Sequence, residues 1–307
     1  MRIIITGATG FIGTHLTKRL TDSGHKVIAL SRNPKNAQRI LGNEISCLQW
    51  AGKDTTPWLD QLNGDYGIIN LAGENIAAGR WSADRKQKIL RSRVDAGEII
   101  VNAVRQAAKK PEFVMQASAI GIYGSSRELI FDEETLPGKG FLADVCKRWE
   151  ESSKEIENMR IRRIIIRTGV VLGQNGGIMK KMSLPFKLFI GGPPGDGKQG
   201  FSWIHMDDEV RAIQFLLESK HQKGIFNLTA PNPVFMTDFT KIYGKALNRP
   251  SWLPVPSFVL KTLFGEMAEE VILSGQKVMP KALLKAGFTF NFPDLKNAVN
   301  DLTGLNT

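Results

Sequence analysis

Residues 2–13 read RIIITGATGFIG. Ile3, Ile4 and Ile5 make a short apolar run suited to a strand buried on both faces. The run stops at Gly7, and a helical pattern begins at Phe11. Phe11, Ile12, Leu16 and Leu20 share one face before Gly24 ends it. Glycines set between a strand and a helix are the mark of a dinucleotide loop. Gly7 permits the tight turn, Gly10 lets the backbone approach a pyrophosphate, and Gly13 lets helix and strand pack closely. Thr9, Phe11 and Ile12 complete this loop, whose free N–H groups lie at the positive end of the helix. A ligand-free turn is the alternative, but the position of TGATGFIG directly after the first strand favours a dinucleotide.

The second strand, KVIALSRNP, ends at Ser31, Arg32, Asn33 and Pro34. An NAD site usually places an acidic side chain there for the ribose 2′-hydroxyl. No acid stands here. Arg32 suits a 2′-phosphate through a bidentate pair, and Ser31 can donate a hydrogen bond. The expected cofactor is therefore NADP(H).

Strand-like and helix-like segments alternate onward: ISCLQWA, PWLDQLNG, YGIINLAG, a long helix from Ser82 as N-cap towards Pro111, EFVMQASAIGIYG, GFLADVCKRWEESSKEIENM and RIRRIIIRTGVVLG. This order predicts a doubly wound parallel α/β sheet covered on both faces, a Rossmann arrangement. Residues 1–173 form its dinucleotide-binding part, with the sheet completed by about 202–230. After Gly173 the texture changes to glycine and proline, then to helix, so 174–307 is read as a smaller substrate lobe. Asp207 is expected to cap a helix there.

The chain has 307 residues, 42% hydrophobic and 23% charged, with a net charge of +11. The excess concentrates in residues 1–50, with seven Lys/Arg against two Asp/Glu, and 151–200, with nine against four. No basic tract interleaves with aromatics, so nucleic acid is not the expected partner. No apolar run approaches the length of a membrane helix, so a membrane is not the expected partner either, and the N-terminus has no leader pattern. Cys47 and Cys146 show no metal or disulfide spacing, and four scattered histidines give no metal site. These features point to a cytoplasmic protein with a small-molecule substrate; a homo-oligomer stays open. Lys180, Lys181, Lys187 and Lys198 suggest an anionic substrate, over which 191–200 and Trp203 would close.

TGATGFIG, NLAG at 70–73 and SAIGIYG at 118–124 resemble the extended short-chain dehydrogenase/reductases, which include the sugar-nucleotide epimerases. LAGENI at 71–76, RTGVVLG at 167–173, GGPPGDGKQGFSWIHMDD at 191–208 and PKALLKAGFTFNFPDL at 280–295 are similar to an atypical NAD-dependent epimerase-like subgroup. That subgroup carries a small C-terminal domain of unknown function. The resemblance implies that Leu71, Ala72 and Gly73 pass under the adenosine side of the cofactor. It also implies that Arg93 contacts a phosphate and that Val171 touches the nicotinamide end; strand packing and a solvated helix charge are the alternatives.

Typical members carry a Ser or Thr where this chain has Ala119, and a Tyr-x-x-x-Lys pair on the next helix. Aligned on Glu150, those two places fall on Leu142 and Cys146 in FLADVCKRWE, 141–150. Ser118 is one residue early and substitutes only if the strand end is irregular. Tyr123 and His205 are the other candidate proton carriers. Three readings remain: an NADP(H)-dependent oxidoreductase acting on a carbonyl or alcohol, a non-catalytic NADPH sensor, and a nucleotide-sugar epimerase.

Overall fold

The computed structural model describes residues 1–50, 55–174 and 176–304; Ala51, the end of ISCLQWA, lies outside them. Seven strands form the central sheet: β1 (Arg2–Thr6), β2 (Lys26–Ser31), β3 (Ser46–Gln49), β4 (Tyr66–Asn70), β5 (Phe113–Ala119), β6 (Arg162–Thr168) and β7 (Gly224–Leu228). Their order is 7-6-5-4-1-2-3, and every pairing is parallel. The chain therefore reverses direction across the sheet at β1, with β2 on one side and β4 on the other. That switch point opens a crevice beyond the carboxyl ends of β1 and β4.

Strand alternation sends side chains to two cores. Ile3, Ile5, Ile69, Met115, Ile164 and Ile166 face helices α1 (Phe11–Asp22) and α5 (Met206–Glu218). Ile4, Ile68 and Val114 face α3 (Ala83–Gln106); α2 (Pro34–Leu41) crosses between β2 and β3, and α4 (Phe141–Glu151) follows β5. Ser82 caps α3 as expected, its hydroxyl accepting from Arg85 N–H, but the helix ends at Gln106, before Pro111.

The C-terminal lobe has its own core, including Leu172, Phe186, Trp203, Phe239 and Val299. Trp203 is fully buried there, so it cannot close over a substrate. Residues 191–200 are also packed rather than poised as a flap: Gln199 donates to Pro194 and Ile272 carbonyls. The cap of α5 is His205, whose Nδ1 accepts from Asp207 N–H, and not Asp207. Asp208, fully buried, instead accepts from Asn291 and Phe292 N–H, at 2.8 Å each, and so fastens the tail to the lobe. Among the described residues no helix is long and apolar enough to cross a membrane.

Glu209 gives a pH prediction. Its carboxyl is buried and bonded to Thr168 Oγ1, and burial raises its pKa from 4.5 to about 8. The folded chain thus keeps a proton that the unfolded chain has released. The favourable contribution is full below 4.5, declines as pH rises, and is lost above about 8. The total is on the order of 4 kcal/mol. Denaturant unfolding at pH 5 and pH 9 should show Glu209→Gln losing most of that slope; an unchanged slope refutes the assignment.

Candidate cofactor and substrate site

Gly7 has φ +72°, and a Cβ on it would lie 2.7 Å from the Leu71 carbonyl oxygen. The loop after β1 therefore presses directly on the chain leaving β4. Gly13 is more constrained: its Cβ would lie 2.2 Å from Gly7 O and 2.7 Å from Ala8 O. Gly10 is exposed, and its Cβ would meet only Gly7 O, at 3.2 Å. Gly10 caps α1 without a side chain, and the first turn of α1 contains no acid. The N–H groups of Phe11, Ile12 and Gly13 thus form an anion-receptive end. Thr9 stands half-buried in the loop. The Phe11 ring packs against Gly173, Gly176 and Gly177, where added Cβ atoms would strike it. Phe11 thereby docks the lobe beside the glycine loop.

At the end of β2, the Ser31 hydroxyl bonds with Asn33 N–H and carbonyl in a local turn, and the Asn33 side chain caps α2. Arg32 is exposed, and among the described residues its guanidinium has no hydrogen bond or ion pair. The fingerprint loop and this exposed cation flank the same crevice edge.

Leu71, Ala72 and Gly73 continue from β4, with Leu71 N–H bonded to Thr6 O and Ala72 N–H to Asn70 Oδ1. Helix α3 straps the chain just beyond them, at Glu74. Ser92 Oγ accepts from Glu74 N–H, and Arg85 pairs with Glu74 at 2.9 Å. Arg93 bonds the Glu74 carbonyl and its own helix at Ile89, lies against Gly73, and stacks over Trp149. It is no solvated charge, and burial lowers its pKa. Beneath the loop, Thr6, Asn70 and Gln116 form a buried hydrogen-bonded row across β1, β4 and β5. The sequence reading missed this row.

Strand β5 stays regular through Ala119, with Ser118 opposite Arg167. The irregularity that would turn Ser118 towards the cofactor is absent. Its hydroxyl donates to Glu150 Oε1 at 2.6 Å. Glu150 also takes two hydrogen bonds from Arg167, at 2.8 and 2.9 Å. Arg167 donates to the Tyr123 hydroxyl, which donates to Asn227 Oδ1 at 2.8 Å. Ser118, Arg167 and Asn227 occupy one row across β5, β6 and β7. Tyr123 is buried, and burial raises its pKa against the pull of Arg167. Both Ser118 and Tyr123 thus belong to a buried hydrogen-bonded network.

His205 is likewise engaged within the fold. It is buried, caps α5 through Nδ1, stacks on Phe292, and has Nε2 3.3 Å from Asp301. Burial lowers its pKa. Val171 lies in the sheet-side core. Leu142 lies over Gly121, and Cys146 is buried beside Ser118 with its thiol pushed up to about 11 by burial.

The C-terminal lobe reaches this helix end. Glu270 accepts from Phe141 N–H and Leu142 N–H, at 3.2 Å each. Lys86 pairs with Glu266 at 2.8 Å, and Gln276 donates to the Ile120 carbonyl. An open groove of about 420 Å³ is lined by Arg127, Lys198, Phe235, Thr237 and Asp238, and Arg127 pairs with Asp196 at 2.8 Å. Of the four lysines expected near an anionic substrate, Lys198 lines it.

Comparison with known proteins agrees with this architecture. Residues 3–229 match the NAD dependent epimerase/dehydratase family, and 255–302 match a domain of unknown function. The epimerase family protein YfhF of Bacillus subtilis is 40% identical over 303 residues, covering 98% of each chain. The crystal structure of human epimerase family protein SDR39U1 with NADPH superposes with a TM-score of 0.88 at 32% identity, covering 99% of both chains. A Corynebacterium glutamicum nucleoside-diphosphate sugar epimerase gives 0.79 at 31% identity, over all of this chain and 59% of that one.

Proposed function

Because this chain belongs to the NAD dependent epimerase/dehydratase family, we propose that it binds NADP(H) and uses it to interconvert a carbonyl and an alcohol on a small anionic substrate. The observation that carries the cofactor choice is the Arg32 guanidinium, unpaired among the described residues, at the end of β2, whose own SRNP sequence has no carboxylate to favour NAD. The human relative crystallised with NADPH supports the same choice. Phe11, Ile12 and Gly13 N–H groups would hold the pyrophosphate, and Arg32 and Ser31 the 2′-phosphate. The bound nicotinamide would supply or accept hydride.

The chain's own residues shape the rest of the reaction. Leu142 and Cys146 occupy the places where typical relatives keep Tyr and Lys, and neither transfers a proton near neutrality. With Ser118, Tyr123 and His205 committed elsewhere, the proton comes from water or from the substrate. Lys198 in the groove would orient the anionic part of the substrate, Arg127 being paired with Asp196. A second reading, an NADPH sensor without turnover, is favoured by the same Leu142 and Cys146. A nucleotide-sugar epimerase is disfavoured by the missing Tyr.

Arg32→Asp should weaken NADPH binding roughly ten- to a hundredfold, the loss of a charge-assisted pair, with NADH binding little changed. Fluorescence titration of the nicotinamide reads both constants. Equal losses for the two cofactors sink the 2′-phosphate assignment. NADPH oxidation against a panel of carbonyl acids then separates the readings: turnover supports the reductase, and tight binding without turnover supports the sensor.

A further inference from the structure

We infer that the C-terminal lobe carries a docking surface for an anionic lipid membrane, formed where the helix Gly177–Lys187 runs out into residues 188–190 and meets the 249–253 turn. Leu188, Phe189, Ile190 and Trp252 are 58%, 54%, 48% and 68% exposed, and Leu184 and Leu253 are exposed beside them. The two segments are joined. Trp252 N–H and Leu253 N–H donate to the Gly191 carbonyl, the Trp252 indole donates to the Phe189 carbonyl, and Arg249 lies over the Phe189 ring. Single exposed hydrophobics are ordinary, but a contiguous group of large ones marks an interaction surface.

The backbone is shaped to present this group. Phe189 has φ +64°, a left-handed conformation that costs a bulky residue roughly 1–2 kcal/mol. The turn does not bury the ring against the lobe. Its side chain stays about half exposed, with Arg249 stacked over the ring.

Charge decides the occupant. Residues 176–195 carry Lys180, Lys181 and Lys187, and 239–265 carry Lys241, Lys245 and Arg249 besides Lys261, which pairs with Glu269; Asp196, Asp238 and Glu266 lie at their borders. Neither stretch contains an Asp or a Glu. A second copy of the chain docked face to face would set like charges against like, which disfavours a symmetric dimer here. Lysine is depleted in protein–protein interface cores, whereas lysines around Trp, Phe and Leu suit the headgroup boundary, where the amine stays in water over a buried apolar stem. The net charge of +11 adds attraction to an anionic leaflet. Such binding is peripheral and needs no spanning helix.

The test is flotation of the full chain with vesicles of phosphatidylcholine alone and with about one third phosphatidylglycerol, a composition that supplies the anionic surface. Binding is expected only to the anionic vesicles and to fall with salt. Lys180→Gln and Lys187→Gln should each lower the partition roughly fivefold. Leu188→Gln with Trp252→Gln should abolish it while NADPH affinity stays unchanged and melting temperature falls only by the loss of the Trp252 indole hydrogen bond, because these side chains are exposed and outside the cofactor crevice. Absence of binding to anionic vesicles overturns the inference. So does binding that survives the Leu188/Trp252 change, or self-association in solution that the same change abolishes without any vesicle binding.

Discussion

Arg167→Ala is expected to destabilise the fold by about 3–5 kcal/mol, the range for stripping one partner from a buried ion pair. The Arg167 and Glu150 side chains are 5% and 13% exposed. Arg167 joins four elements at once: α4 through Glu150, β5 through Ser118 on the same carboxylate, the turn after β5 through Tyr123, and β7 through Asn227. Its loss leaves Glu150 buried without its cation and Tyr123 without a donor. Glu150→Leu with Arg167→Met should recover much of the loss, because no unpaired charge remains. Chemical denaturation of Glu150→Leu, Arg167→Met and the double variant measures the coupling. An Arg167→Ala loss below about 1 kcal/mol, the range of exposed pairs, would show that the network is dispensable.

Gly13→Ala is expected to cut NADPH affinity at least about a hundredfold and to lower stability by about 3 kcal/mol. The new methyl would lie 2.2 Å from one backbone oxygen and 2.7 Å from another, and neither is the movable end of a side chain. Helix α1 must back away from β1, which pulls its N–H groups off the anion they would hold. Gly10→Ala is the control. Its methyl meets only one oxygen at 3.2 Å, so stability should change by less than about 1 kcal/mol while affinity still falls, because that side of Gly10 is where a pyrophosphate approaches. Thermal unfolding and nicotinamide fluorescence on both variants decide the matter. A Gly13→Ala chain with native stability and affinity would refute the packing argument.

The sheet, its order of strands and helices, and the dinucleotide crevice were legible in the sequence because each rests on local pattern. Three isoleucines followed by Gly7, Gly10 and Gly13 specify a buried strand, a turn and an uncapped helix within twelve residues. The absence of an acid at Arg32 was equally local. The lack of Tyr and Lys in FLADVCKRWE was visible by position alone.

What only the tertiary structure decided is where side chains spend their hydrogen bonds. Ser118, Tyr123 and His205 have suitable chemistry for proton transfer, and nothing in their sequence neighbourhood shows otherwise. Each is committed to partners brought near by folding: Tyr123 to Asn227, 104 residues away, Ser118 to Glu150, 32 away, and His205 to the cap of α5 and the ring of Phe292. Glu270 and Arg167 carried no local signal for the same reason. A backbone pattern reports itself within a few residues, whereas a buried polar group is satisfied by whichever strands and helices the fold sets beside it.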